Sequence, residues 1–152
     1  MLRLPRKTMF ALEAVVDIAF NARPEPVQSK EITRRQGIPQ RYLEQVMQQL
    51  VHAGVLKGVR GPRGGYTLAR ERRRITVGEV VRVIETMDLA GEEDEAEPAG
   101  SPLGQQVVRP MWNALREEMM QRLDAVTLED LCRKARDSGL QPEGAERTDF
   151  TI

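Results

Sequence analysis

Between Ser29 and Leu68 the apolar residues follow two different periods. Leu43, Val46, Met47, Leu50 and Val51 recur at spacings of three and four, which puts them on one face of a helix. Val55-Leu56-Lys57-Gly58-Val59 and Tyr66-Thr67-Leu68 instead read as two short strands around the loop Arg60-Gly-Pro-Arg-Gly-Gly65. Upstream, Ser29 is placed to cap a short helix that turns Ile32 inward. Gly37 supplies a turn. Pro39 opens the next helix where its missing N–H is no loss, and Gly54 ends it. The predicted order is helix, turn, helix, hairpin, which is the layout of a winged helix-turn-helix. The predicted fold class is mainly α with a small β-wing. The alternative is a small α+β packing unit with a charged surface.

The same pattern organises the rest of the chain. Residues 8–21 form a broadly apolar helix through Phe10, Leu12, Val15, Val16, Ile18 and Ala19, with Thr8 as its cap. Arg3, Arg6 and Lys7 sit just ahead of it, placed for phosphate or for solvent. Two prolines make Arg23–Pro26 a connector. Arg70–Arg74 is a basic turn. Thr76 and Glu79 have capping-box spacing, and a helix follows to about Met87. Ala90–Pro102 is acidic and rich in small residues, the composition of a flexible loop. Leu103, Val107, Met111, Leu115, Met119 and Leu123 then recur every fourth residue, with Trp112 beside them. This long amphipathic helix opens between Gly104 and Pro110. Its stripe needs a partner surface, and the same helix of a second chain is the economical one. An internal helix lying on the winged domain is the alternative. Thr127 caps a last helix to about Asp137, and Gly139 stops it. Gln141–Thr148 reads as a polar tether. The expected domains are a DNA-binding unit over 1–87, a loop over 88–102, a dimerisation and terminal-helix unit over 103–138, and a tail over 139–152.

Charge sharpens this picture. The chain of 152 residues is formally neutral. Residues 1–87 nevertheless hold 16 Lys+Arg against 8 Asp+Glu, and the remainder holds 7 against 15. A basic front half points to an anionic partner such as double-stranded DNA, with an adaptor that uses the same basic face for a protein as the rival. One cysteine, Cys132, precludes an intrachain disulfide and suits a reducing compartment. No apolar run has the length of a signal peptide or a membrane span, so a cytoplasmic protein is expected. No catalytic constellation is legible. The one histidine, His52, has no nucleophilic or acidic partner nearby in sequence, and Arg60–Gly65 lacks the Lys-Ser/Thr ending of a phosphate-binding loop. Cys132 reads as a packed or half-exposed thiol, with redox sensing as the rival.

Four segments in order, LRLPRKTMFALEAVVDIAF, EITRRQGIPQRYLEQVMQQLVHAGVLKGVRGPRGGYTLAR, ITVGEVVRVIE and RPMWNAL, resemble the Rrf-two family of bacterial transcription regulators, of the IscR, NsrR and CymR type. The resemblance spans residues 2 to about 132. It implies a homodimeric winged helix-turn-helix with a long dimerisation helix, bound to a partly palindromic operator. On this resemblance Arg41, Glu44 and Gln45 read bases, with Gln40, Ser29 and Lys7 as further DNA-contacting candidates. Arg60 matches the wing arginine, with Arg63 beside it, and Tyr42 and Leu43 match packing positions. The residue types suit base reading, since Arg pairs with guanine, Glu accepts from cytosine and Gln suits adenine. One departure is informative. Cluster-binding members carry three cysteines ahead of the long helix, where this chain has none, and Arg109 stands where IscR-type members have histidine. The resemblance is therefore to the cluster-free, CymR-like branch, and no iron–sulfur cofactor or metal is expected.

The chain finishes Asp149-Phe150-Thr151-Ile152. This resembles the tail of serine acetyltransferases, which end in a short acidic-hydrophobic peptide closing in Ile that plugs the active site of cysteine synthase (O-acetylserine sulfhydrylase). CymR-type regulators also work with that enzyme. The resemblances imply a repressor of cysteine metabolism with cysteine synthase as partner. An ordinary frayed terminus is the alternative for the tail, and control of iron, redox or nitrosative-stress genes is the alternative for the regulator.

Overall fold

The computed structural model describes residues 4–92 and 100–143. Helix α1 (Arg6–Phe20) lies at the centre. Around it pack α2 (Ser29–Gln36), α3 (Gln40–His52), α4 (Val77–Glu92) and α6 (Leu128–Asp137). The hairpin of β1 (Leu56–Val59) and β2 (Gly65–Leu68) is antiparallel, with Leu56 opposite Leu68 and Val59 opposite Gly65. Helix α5 (Arg109–Asp124) packs on α4. The core draws on every helix of the winged unit: Val15 and Ile18 of α1, Ile32 of α2, Leu43, Met47 and Leu50 of α3, Ile84 of α4, Leu128 of α6.

The predicted elements are present, with changed edges. Helix α1 starts at Arg6, so Arg6 and Lys7 lie inside it and Thr8 is a buried residue of its first turns rather than a cap. Ser29 is the first residue of α2. The cap position belongs to Gln28, whose N–H is taken by Glu31 Oε2 at 2.8 Å. The carboxylate at the third helical position reaches back to the N–H of the cap residue, which is the return half of a capping box and fixes Gln28 as the cap. Pro39 likewise precedes α3 instead of opening it. Val51 belongs to the apolar run by spacing, yet it is 36 % exposed on the rim of the α3 face. The capping box of α4 forms as read: Thr76 N–H donates to Glu79 Oε2 at 3.1 Å and Glu79 N–H to Thr76 Oγ1 at 3.2 Å. Its backbone continues as helix through Glu92, into residues read as loop. Once nucleated, a helix extends with little further cost.

The long helix is not regular. The backbone is helical from Pro102, and Ser101 Oγ accepts the Gly104 N–H at 3.1 Å. A widened turn, Gly104–Val108, follows, in which Arg109 N–H reaches back to Gly104 O. Pro110 explains its place. Proline has no N–H and its ring crowds the carbonyl one turn back, and a wide turn relieves both defects without ending the helix.

Helix α6 starts as predicted, with Thr127 Oγ1 accepting from Asp130 N–H at 3.1 Å and Asp130 Oδ2 from Thr127 N–H at 2.9 Å. Gly139 ends it at φ 88°. Its packing differs from the expected division at 103–138: Leu128 and Cys132 are fully buried in the winged-domain core, against α1. The segment after α6 is no free tether as far as Glu143, which is bonded to α1 and α2. Residues 93–99, the heart of the expected acidic loop, and 144–152, with the expected partner-binding tail, lie outside the described residues.

Candidate DNA-binding surface

The helix-turn-helix is set by one glycine and one proline. Gly37 takes φ 66° and ends α2, its N–H bonded to Thr33 O at 2.9 Å. Ile38 is buried between the helices, and Pro39 O accepts the N–H of Tyr42 and of Leu43, each at 3.1 Å. Because α3 buries Leu43, Val46, Met47 and Leu50, its opposite face must carry Gln40, Arg41, Glu44 and Gln45 outward. All four are exposed, and Gln40 Nε2 donates to Glu44 Oε1 at 3.1 Å. Gln48 and Gln49 are exposed one turn further on and extend this polar stripe. Sequence reading passed over them, although Gln48 follows Arg41 by seven residues, two helical turns.

The wing is fixed against α2. Val27 N–H donates to Tyr66 O at 2.9 Å and Tyr66 N–H to Val27 O at 2.8 Å, so the hairpin is held beside the start of α2. Gly65 is required there, because a Cβ would run into the Val27 carbonyl. At the loop, Gly61 takes φ 113° and its carbonyl accepts the Gly64 N–H at 2.9 Å. Arg60 and Arg63 are left exposed. An open cleft of about 410 Å³ separates the start of α2 from the wing, and Ser29 and Arg60 both line it. Backbone N–H groups at a helix start, a hydroxyl and a guanidinium can there meet one phosphate.

Lys7 is brought to this region from the other side. Phe10, one turn after it in α1, meets the ring of Tyr42 in α3 at a centroid separation of 6.0 Å. Tyr42, matched above to a packing position, packs its ring on Phe10 and is 42 % exposed. The structure thus assembles Lys7, Ser29, Gln40, Arg41, Glu44, Gln45, Arg60 and Arg63 from four elements around one helix-turn-helix. Arg70, Arg72 and Arg73 are not part of it. They lie after β2, at the opposite end of the hairpin, where Arg70 pairs with Glu79 at 2.9 Å, Arg73 with Glu71 at 2.5 Å, and Arg72 with Glu129.

A second exposed feature lies on α5. One face docks on α4: Met120 and Leu123 pack with Val77 and Val81, flanked by Arg116–Glu85 at 2.5 Å and by Arg82 on Asp124. Leu123, placed in the outward stripe by its spacing, therefore belongs to this internal contact. The other face leaves Leu103, Val107, Met111, Trp112, Leu115 and Met119 about half exposed or more. Val108, three, four and seven residues before Met111, Trp112 and Leu115, is exposed as well and joins this face.

The donor set does not fit a cysteine-ligated iron–sulfur cluster. The single cysteine, Cys132, is fully buried in the core, where burial pushes its thiol pKa up. Among the described residues no three His, Cys, Asp or Glu side chains form a group suited to a metal ion. Arg109 lies over Gly100, its guanidinium 3.5 Å from where a Cβ there would stand. Among the described residues, no helix is long and apolar enough to cross a membrane.

Comparison with known proteins gives a consistent result. The profile of Rrf2, described as an iron-dependent transcriptional regulator, matches residues 4–134. Protein rrf2 of Nitratidesulfovibrio vulgaris is 33% identical over 95% of this chain and 94% of its own length. The transcriptional regulator IscR of Klebsiella pneumoniae is 34% identical over 86% of this chain and 79% of its own. Among solved structures, IscR of T. potens superposes with a TM-score of 0.72 at 33% identity, covering 91% of this chain and 92% of its own. CymR, the global cysteine regulator of B. subtilis, superposes with a TM-score of 0.67 at 31% identity, covering 88% and 98%.

Proposed function

Because this chain belongs to the Rrf2 family of DNA-binding transcriptional regulators, we propose that it reads an operator as a homodimer and represses genes of cysteine and sulfur metabolism. The relatives it resembles are regulators and not enzymes. The observation that carries base reading is the exposed row Arg41, Glu44, Gln45 and Gln48 on the outer face of α3. Ser29 and Lys7, with the wing residues Arg60 and Arg63, supply phosphate and groove contacts around it. The exposed stripe of α5 supports the dimer, since two copies related by a twofold axis would cover it and set two half-sites in register. The regulator works without an iron–sulfur cluster, in keeping with its donor set.

The sulfur assignment rests on two likenesses, that of the chain to CymR and that of Asp149–Ile152 to a cysteine-synthase plug. In this reading Asp149–Ile152 enters the enzyme's substrate pocket, Phe150 and Ile152 fill apolar subsites, and O-acetylserine competes for the pocket. Likeness to IscR favours a second reading, control of iron or redox genes through another effector.

Titration of the purified protein against its own upstream region tests the first part. Specific binding should weaken steeply with salt. Arg41→Ala should lose base discrimination by about 1–3 kcal/mol, and Arg63→Ala should weaken all sequences evenly. Equal affinity for random DNA at every salt concentration would leave the protein-adaptor reading instead. Calorimetry with cysteine synthase tests the second. Deleting Ile152, or adding O-acetylserine, should abolish that binding and leave operator recognition intact. Undiminished binding after the deletion refutes the tail assignment.

A further inference from the structure

Helix α2 is poorly anchored by its own apolar residues. It has eight residues, too few to be stable alone, and Ile32 is its one buried side chain. Its last turn is held by two carboxylates instead. Asp17 of α1, 2% exposed, accepts from Arg35 Nε at 2.9 Å, Arg35 Nη2 at 2.7 Å and Gln36 Nε2 at 2.7 Å. Glu143, beyond α6, closes the other side. Its carboxylate accepts from Arg34 Nη2 at 2.8 and 2.9 Å and also pairs with Arg35 Nη1. Its own N–H donates to Asn21 Oδ1 at 2.8 Å, and Asn21 Nδ2 is fixed on Asp17 O at 2.9 Å. Arg35 thus lies between a buried carboxylate and Glu143, and Glu143 also holds the neighbouring Arg34.

We propose that Glu143 is a positioning residue for operator recognition: it clamps the last turn of α2 and so fixes the seat of α3. Gly37, Ile38 and Pro39 are all that separate that turn from α3, so any drift of α2 passes directly to the residues that face DNA. Glu143 ties the two guanidiniums together through one nitrogen of each, and the mostly buried Arg35 is oriented by its two-pronged pair with Asp17, so the clamp acts on a side chain whose direction is already set. As an anion already paired with two arginines, Glu143 is not suited to meet a phosphate. It acts through Arg34 and Arg35, and the segment after α6 becomes part of the reading unit.

The inference rests on the helix-turn-helix being the DNA-reading element. The test compares full-length wild type, Glu143→Gln and a chain ending at Glu143, on operator and on random DNA. Glu143→Gln should lower the ratio of operator to random affinity by roughly 3- to 10-fold. Amide exchange in α2 should speed up by a similar factor, with exchange in α6 unchanged. The chain ending at Glu143 keeps the clamp and should match wild type in both. Should Glu143→Gln fail to fold, Arg34→Gln removes only the exposed arm and should give the same changes in smaller degree. Unchanged discrimination and unchanged α2 exchange in whichever of these variants folds overturns the proposal. A wild type that cannot tell operator from random DNA would overturn the underlying reading, and the inference with it.

Discussion

Leu115→Glu tests the dimer where its effect can be worked out. Leu115 is 54 % exposed on the outward face of α5, so pairing can remove about half a leucine from water. Full burial of such a side chain is worth about 1.5–3 kcal/mol, which makes that half about 1 kcal/mol. Twofold symmetry counts it twice, for about 2 kcal/mol. The substitution also sets two carboxylates against apolar surface, and even after protonation or partial escape to solvent this costs about 2–4 kcal/mol more. The dissociation constant should therefore rise by about three to four orders of magnitude. Sedimentation at micromolar concentration should show dimer for wild type and monomer for the variant. Operator affinity should fall with it, because each half-site would then be bound separately. Helix α5 should stay docked, since Met120 and Leu123 hold it from the opposite side. A wild type that is monomeric at these concentrations, or a variant that stays dimeric, refutes the reasoning.

Gly78→Ala should destabilise the chain by about 1–3 kcal/mol, read as a lower melting temperature, because a Cβ at Gly78 collides with the Asp124 carboxylate and stands 3.0 Å from its backbone nitrogen. Unchanged melting would show that α4 and α5 separate freely there. Glu31 and Glu143 have depressed carboxylate pKa values: hydrogen bonds from Arg23 and Gln28 outweigh burial at Glu31, and Arg34 leads at Glu143. A depressed folded-state pKa gives stability that is present above the ordinary carboxylate range and lost as pH falls through the folded value. Melting temperature should therefore drop between about pH 5 and pH 3, less steeply in the double variant Glu31→Gln, Glu143→Gln. Identical slopes would refute this account. Cys132 should resist alkylation in the native state at mildly alkaline pH and react at once in denaturant, since its thiol is buried and its pKa raised by that burial. Rapid native labelling would reopen redox sensing.

What was legible in the sequence was local chemistry. Thr76 with Glu79, Thr127 ahead of Asp130, and the glycines at 37, 54 and 139 each act within one helical turn, and each does what its neighbours along the chain require. The α3 face was legible for the same reason, since four buried residues force the others outward. Errors arose where a distant group decided the outcome. Leu123 has stripe spacing, yet Val77 and Val81 claim it. Gln141–Glu143 reads as tether because nothing local signals that Glu143 will meet arginines more than a hundred positions earlier in the chain. One miss was local: Ser29 lost the cap to Gln28 because Glu31, two residues on, serves the N–H of Gln28. The widened turn before Pro110 was half legible. The proline announces a defect, but whether the helix breaks or dilates depends on the turns on either side.

The junction of Thr76 with Thr127 has a consequence for how such chains can vary. These residues form an antiparallel bridge, with Val77 N–H on Val126 O and Leu128 N–H on Ile75 O, both at 2.9 Å. The chain therefore departs and returns through one stapled doorway: α4 still packs in the winged-domain core, and the stretch beyond it, through α5, is the excursion. Because α6 closes the core after that excursion, the domain is completed without regard to what lies at its far end. A change of length or charge between α4 and α5 should therefore leave the Thr76–Thr127 staple in place.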